Sequence, residues 1–461
     1  MQPTTARSDA APALVLPHGP VRNTRRAEAW AQLQLVMNPI NTVLGRFAQY
    51  GDVYRVQQGT SALYVVRHPD HIREILTTRA ASFDKSHAAF QRLSLVLGDA
   101  LLTSDGERWR RQRRLVQPAF ARPRLVEYSS AMVDEAARAA ERLRERGRCE
   151  LSREMNSLTL AIVTRTLFGQ VSQESGRNAQ AMLELNRWFG TPPLLLRFVP
   201  RSAARFKRAV STLDDAIEQL IAARQAGTAA TAAITGTDGR ADLLSALMAA
   251  RDADGEMLTA RELRDQLLTL YVAGHETTSH ALTWTLYLLD KHPEVRARLD
   301  AEHTAVLAGR LPTFDDLSAL PYTELVIKEA LRLYPPAFVL PRRASEDTSI
   351  GPYAVPKGSE VVIWLYCTHH DPRWYPDPQA FQPERFTAEH EAERPKHAYL
   401  PFGAGQRACI GQMFATIEAQ LILATLLPRL RFEYAARRAP GLRLGVTLAP
   451  RNGMPMRVRA R

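Results

Sequence analysis

A single cysteine, set among three glycines at the head of a long apolar run, constrains this chain more than any other feature. The stretch from Pro401 to Gly411 reads Pro-Phe-Gly-Ala-Gly-Gln-Arg-Ala-Cys-Ile-Gly, and the run from Ile410 to Leu430 predicts a helix directly after it. Cys409 therefore stands where a helix begins. Free backbone N–H groups and a partial positive charge at such a point favour a thiolate over a thiol. Gly405 and Gly411 suit a turn with unusual backbone angles and a close approach to a flat cofactor. On its own, a cysteine at a helix start is as readily a buried and inert side chain.

The flanking residues decide between the two. A shielded thiolate surrounded by N–H donors is what a haem iron with a cysteine axial ligand requires. The pattern Phe402-Gly403-x-Gly405-x-Arg407-x-Cys409-x-Gly411 resembles the haem-binding signature of the cytochromes P-450. By that resemblance Cys409 is the proximal ligand of a haem b iron and Phe402 packs near its sulfur. Arg407 reaches a haem propionate, and Gly411 completes the haem-facing loop.

A second motif lies in Leu263–Leu289. Thr259 followed by Glu262 is a capping-box pattern, and a helix from Thr259 to about Leu289 spans on the order of 45 Å. Gly274 weakens that helix locally. The Thr277 hydroxyl can bond back to a carbonyl one turn earlier, and together the two can open a notch. Ala273-Gly274-His275-Glu276-Thr277-Thr278 resembles the family's oxygen-activation motif. The resemblance places Ala273 and Gly274 against the haem and makes Glu276 and Thr277 the acid–alcohol pair that relays protons to dioxygen.

Glu329 and Arg332 sit three apart and share a helical face. With Pro383-Glu384-Arg385-Phe386 they resemble the family's Glu-x-x-Arg helix and its partner segment, which implies a buried structural network of Glu329, Arg332 and Arg385. Trp109 and Arg113 share one face of a helix in Glu107–Phe120, resembling the propionate-binding helix. After the extended segment Ala337–Pro341, Arg342 or Arg343 supplies another propionate contact, with Arg342 favoured. Guanidinium groups bind carboxylates through paired hydrogen bonds, which suits a buried propionate.

The resemblance runs from about Asn38 to Val458, and Ser82–Lys85 and Tyr375–Pro378 fit it too. Locally it is strongest at His397–Ala415 and Ala273–Ser279, where it points to the haem domains of soluble bacterial fatty-acid hydroxylases. It implies a mainly α fold with small β-sheets and haem between a long central helix and the cysteine loop. Residues 1–37 read as a partly ordered N-terminal extension and 38–461 as a single haem domain. Apolar content of 45% can fill so large a core. Strand-like runs occur at Val53–Val56, Leu63–Val66 and Val361–Trp364, and Ala226–Gly239 reads as a surface loop.

Three cysteines form no paired framework, which argues for a reducing, cytoplasmic setting. Met1 to about Pro20 holds no long apolar stretch, so neither a signal peptide nor a membrane anchor is expected. The net charge of +12 comes from arginines spread along the chain, without a nucleic-acid-binding motif. Arg110, Arg111, Arg114 and Lys396 instead suggest docking of an acidic electron donor. No flavin or iron–sulfur module follows Arg461, so the expected donor is a separate ferredoxin or flavodoxin with its reductase.

The implied reaction is insertion of one atom of dioxygen into a C–H bond or alkene of a hydrophobic small molecule. By resemblance the pocket is lined from Phe90–Leu97, Trp188–Phe198, Leu267–Ala273, Ala337–Leu340 and Val446. Phe90, Val96, Leu97, Phe189, Leu270, Phe338, Val339 and Val446 are its apolar candidates. Gln57–Leu63 offers no charge to anchor a carboxylate, which leaves terpenes, steroids and polyketides open beside fatty acids. A peroxide-driven peroxygenase and a non-catalytic haem sensor are the alternatives. The intact Glu276–Thr277 pair weighs against both.

Overall fold

A computed structural model of the chain describes residues 14–20, 34–35, 37–58, 61–169, 177, 180–181, 184–185, 188–189, 202–230 and 242–461. Helices dominate it. The longer ones are α1 (Pro39–Tyr50), α2 (Ala88–Leu97), α3 (Gly106–Val116), α4 (Arg122–Arg146) and α5 (Leu151–Phe168). They continue with α6 (Ser202–Ala230), α7 (Ala260–Lys291), α8 (Pro293–Leu307), α9 (Pro321–Leu333) and α10 (Gln412–Leu426).

The central helix α7 begins as its sequence predicts. Thr259 caps it and exchanges both bonds of a capping box with Glu262. At 32 residues it is roughly 48 Å long. Apart from the stretch around Ala273 and Thr277, its side chains are buried nearly all round from Leu263 to Leu289, which is the signature of a helix enclosed by others. Gly274 lets α5 approach: a Cβ there would come within 3.2 Å of Val163 Cγ2. The helix runs unbroken through Gly274, so the expected notch is a local matter of side chains rather than a break.

One sheet has five strands in the order β1-β2-β8-β5-β3: Val53–Gln58, Ser61–Val66, Glu360–Ile363, Leu340–Ala344 and Phe83–Asp84. Its β2 and β8 are parallel and the other pairs antiparallel. Smaller sheets join β4 (Arg148–Glu150), β12 (Pro455–Ala460) and β9 (Leu430–Tyr434), and β6 (Thr348–Ile350) with β7 (Tyr353–Val355). A last hairpin pairs β10 (Leu442–Leu444) with β11 (Leu448–Pro450). Two large apolar clusters flank α7. One surrounds Trp284, Leu331 and Ile422, and the other surrounds Val116, Ile217 and Leu267.

Two boundaries differ from expectation. The helix after the cysteine ends at Leu426, because β9 takes over at Leu430. Residues 226–230, read as loop, continue α6, while 231–241 lie outside the described residues. Most of 1–37 lies outside them as well, although Val15 bridges to Tyr353 and donates its N–H to Pro352 at 3.0 Å. Among the described residues, no helix is long and apolar enough to cross a membrane.

Glu329 and Arg332 meet as expected, both fully buried. Arg332 binds the carboxylate through Nε and Nη2 at 2.7 and 2.8 Å. Its remaining donors reach the carbonyls of His369, Pro378 and Ala380 at 2.8–3.0 Å. Arg385 stands 3.4 Å from the same carboxylate. His369 adds a link absent from the sequence reading, since its Nε2 accepts the Leu400 N–H at 3.0 Å and pins the chain entering the cysteine loop.

Burial holds His369 well below its ordinary pKa, and it pushes His370 down to about 3 and His303 down to about 4. The folded state therefore refuses protons that the unfolded chain accepts below about 6.5, and stability falls as pH drops through that value. For His303 alone the full loss is on the order of 3 kcal/mol. Denaturant titrations at about pH 7 and about pH 5 should show a clear drop, smaller in His303→Gln. Equal stabilities at the two pH values would contradict this account.

Candidate active site

The cysteine loop is a tight backbone structure. Cys409 N–H donates to Phe402 O at 2.9 Å, Gly403 N–H to Leu400 O at 3.0 Å and Ala408 N–H to Gly405 O at 3.1 Å. Gly403 and Gly405 take φ values of +72° and +67°, a region costly for any residue with a side chain. A Cβ on Gly405 would come within 2.1 Å of Leu76 O, so this glycine allows a close approach of backbone to backbone. Gly411 departs from expectation. It is the N-cap of α10 with φ −89°, and a Cβ there would make an ordinary contact with Phe120 at 3.8 Å.

Cys409 lies ahead of α10 rather than in its first turn. Burial pushes its thiol up, and the Gly411 N–H and the Arg113 charge only partly oppose this. Burial thus favours the neutral thiol at this position, against the thiolate that a helix start favours. A cation in front of the sulfur is needed to ionise it. The side chain sits deep among protein atoms yet exposes surface, so it borders an internal space.

Beside it lies a concentration of positive charge. Arg342 and Lys85 are buried, Arg407 and Arg113 half-buried. Burial first, then the neighbouring Arg407, pushes Arg342 down to about 10, and burial likewise brings Arg407 to about 10 against the pull of Asp105. Lys85 is driven well below its ordinary value by burial and by Arg342 and Arg407. Asp105 pairs with Arg407 and accepts the Lys85 backbone N–H at 2.7 Å. Among the described residues, the Arg342 side chain bonds only to its neighbour Pro341 O, 2.8 Å. Arg407 also lies over the Trp109 ring at 3.9 Å, and Arg113 holds Ala408 O at 3.0 Å. Arg343 turns instead to Gly358 O at 3.2 Å. Sequence reasoning misses Lys85 as a site residue, although its segment fits the family pattern.

On α7, Ala273 is exposed and Thr277 partly exposed within an otherwise buried stretch, which again marks an internal space. Thr277 donates to Ala273 O at 2.9 Å, the expected back-bond. Glu276 is buried and accepts the Thr447 hydroxyl at 2.9 Å from the turn between β10 and β11. The His280 ring stands 3.5 Å from its carboxylate. Burial raises the Glu276 pKa, but His280 and Thr447 outweigh it and bring the carboxyl below its ordinary value. His280 and Thr447 carry no sequence signal, one being a turn beyond the motif and the other far away in the chain.

The pocket candidates divide. Val96, Leu97 and Leu270 belong to the cluster around α7, with Phe189 packed against it, while Phe338 and Val339 form another. Val96 and Leu97 are each 2% exposed, so they are packed core with almost no surface toward an internal space. Phe90 is buried with the Lys85 ammonium 4.8 Å from its ring centroid. Val446 is 45% exposed. Of Trp188–Phe198, the part beyond Phe189 lies outside the described residues. Arg111 is not a free docking cation, because Asp252, Glu262 and Met257 O engage it, and Arg110 pairs with Glu107. Arg114 and Lys396 are exposed.

These residues fit a haem. A lone thiol bordering an internal space supplies the axial donor. Four cations around one carboxylate leave positive charge for two propionates to neutralise. The other cysteines are poor competitors, since burial pushes Cys149 and Cys367 up to about 12.

Comparison with known proteins gives a consistent result. A family model described as "Cytochrome P450" matches residues 23–453. Cyclooctatin synthase of Streptomyces melanosporofaciens is 36% identical over 87% of this chain and 86% of its own length. Cyclooctat-9-en-7-ol 5-monooxygenase of the same organism is 35% identical, with the same coverage. Pentalenene oxygenase of Streptomyces avermitilis is 33% identical over 87% of this chain and 88% of its own. These names lend no support to the local likeness to fatty-acid hydroxylases.

Proposed function

Because the chain belongs to the cytochrome P-450 family, we propose that its substrate is a terpene-derived cyclic hydrocarbon or alcohol and its cofactor haem b held by Cys409. It is a monooxygenase of hydrophobic small molecules that uses dioxygen and electrons from a redox partner. The relatives named for cyclooctat-9-en-7-ol and pentalenene support the substrate class. So does the described part of Gln57–Leu63, which carries no charge to hold a carboxylate. The electron donor is a ferredoxin or flavodoxin with its reductase, the setting the cytoplasm, and 38–461 a single haem domain.

Lys85, Arg113, Arg342 and Arg407, with Trp109, would hold the propionates. Bound there, a haem supplies reductive activation of dioxygen and delivery of one oxygen atom. The chain does the remainder. Glu276, kept ionised by His280 and Thr447, takes a proton from solvent, and the Thr277 hydroxyl passes a proton into the internal space. The apolar side chains Leu270, Phe338 and Val339 exclude water and orient the substrate. The reading is carried by the four cations around one carboxylate, beside a thiol that borders an internal space.

The test is turnover with a surrogate ferredoxin system and isotopically labelled dioxygen. Cyclic terpene alcohols should shift the haem spectrum and gain one labelled oxygen, whereas preferred turnover of fatty acids would overturn the substrate class. Thr277→Ala should lower product per electron pair by about tenfold while electron consumption changes less than about threefold. Unchanged coupling would remove Thr277 from the proton route.

A further inference from the structure

We propose that Glu418 is a positioning residue that stays protonated at neutral pH and, through its proton, decides whether the Thr278 hydroxyl serves the Gly274 carbonyl of the catalytic helix. Glu418 lies on α10, the helix that follows the cysteine loop, and it is fully buried. Neither carboxyl oxygen has a hydrogen-bond partner at full contact. Among the described residues, the Thr278 hydroxyl is the polar group that acts on the carboxyl, drawing its pKa down against burial.

A carboxylate left this way would be an uncompensated buried charge, which proteins avoid by keeping the group neutral. The charges on the packed helices are already committed elsewhere. On α4, Glu135 pairs with Arg138; on α7, Glu276 faces His280; on α9, Glu329 pairs with Arg332. Before α9, Asp316 pairs with Arg310. Among the described residues no cation acts on Glu418, and burial pushes its carboxyl up to about 8.

A hydroxyl has one hydrogen and two acceptor lone pairs. Thr278 points its hydrogen at Gly274 O over 3.3 Å, a long and easily redirected bond, whereas Thr277 holds Ala273 O at 2.9 Å. With Glu418 protonated, its O–H donates to Thr278 Oγ and the Thr278 hydrogen stays on Gly274 O. With Glu418 ionised, its oxygen accepts the Thr278 hydrogen and Gly274 O loses that bond. Gly274 is the residue beside the exposed Ala273 and one turn before Thr278, so the change falls on the carbonyl next to the one that Thr277 holds.

The effect on turnover rests on the monooxygenase reading; the protonation state does not, and infrared spectroscopy of the haem-loaded protein reads it directly. A protonated carboxyl C=O stretch should be present at neutral pH, disappear as pH rises past about 8, and be absent from Glu418→Gln. Thr278→Val should shift that band, because the carboxyl loses its partner. Product per electron pair should fall roughly three- to tenfold across the same pH interval in the native protein and stay flat in Glu418→Gln. Absence of the band from native protein at neutral pH, or a band indifferent to Thr278→Val, overturns the proposal even if turnover is never observed.

Discussion

Exchanging Cys409 for serine is expected to abolish the long-wavelength, thiolate-type Soret band of the reduced, carbon-monoxide-bound protein and to cut turnover by at least about a thousandfold, or about 4 kcal/mol of barrier. A serine hydroxyl does not ionise under these conditions and cannot supply the electron density that favours O–O cleavage. The other two cysteines cannot replace it, since burial keeps their thiols protonated. The fold should survive the change. The loop is held by backbone bonds, Cys409 N–H to Phe402 O among them, and its glycines set the turn. Thermal stability of the haem-free protein should therefore shift by no more than about 1 kcal/mol. Persistence of the long-wavelength band in the variant would dismiss Cys409 as the ligand. A collapse of the haem-free fold would show that the thiol has a structural part not visible in its contacts.

Arg332→Leu should do the opposite, destroying the fold rather than the chemistry. Every donor of the Arg332 guanidinium is used, two on Glu329 and three on carbonyls of the segment from His369 to Ala380. Removing it strands a fully buried carboxylate, with Arg385 at 3.4 Å and the Gln382 N–H at 3.0 Å as its remaining partners. Breaking a buried pair in this way costs about 3–5 kcal/mol, against a total stability of about 5–15 kcal/mol for an ordinary protein. The orphaned carbonyls add to the loss. Soluble yield should fall to a small fraction of the native level, with no haem-loaded protein recovered. Arg332→Lys should rescue little, because an ammonium cannot match a five-donor fork. Full yield of a haem-loaded Arg332→Leu protein would contradict this account.

Much of the site was legible along the chain wherever function is packed into a short segment. The capping box at Thr259 and Glu262, the back-bond of Thr277 and the pairing of Glu329 with Arg332 all depend on residues within one or two helical turns. Such geometry follows from helical periodicity alone. Lys85, His369, Thr447 and Glu418 left no comparable trace. Lys85 becomes part of a site only when β3 lies beside β5 and brings it near Arg342. Thr447 reaches Glu276 across 171 residues of sequence.

The ionisation of Cys409 marks the same boundary. Position at a helix start argues for a thiolate, whereas burial in the surrounding fold pushes the thiol up against the Gly411 N–H and the nearby Arg113. Gly405 was recognised as special, but the neighbour it accommodates, Leu76 O, comes from a distant turn. By itself, then, the sequence determined the family and the buried Glu329–Arg332 pair, because each is written in local spacing. Only the tertiary structure decided which charges are left unpaired around the cofactor site and where the protons reside. Burial, and the free energy of a charge inside it, depends on atoms brought together from the whole chain.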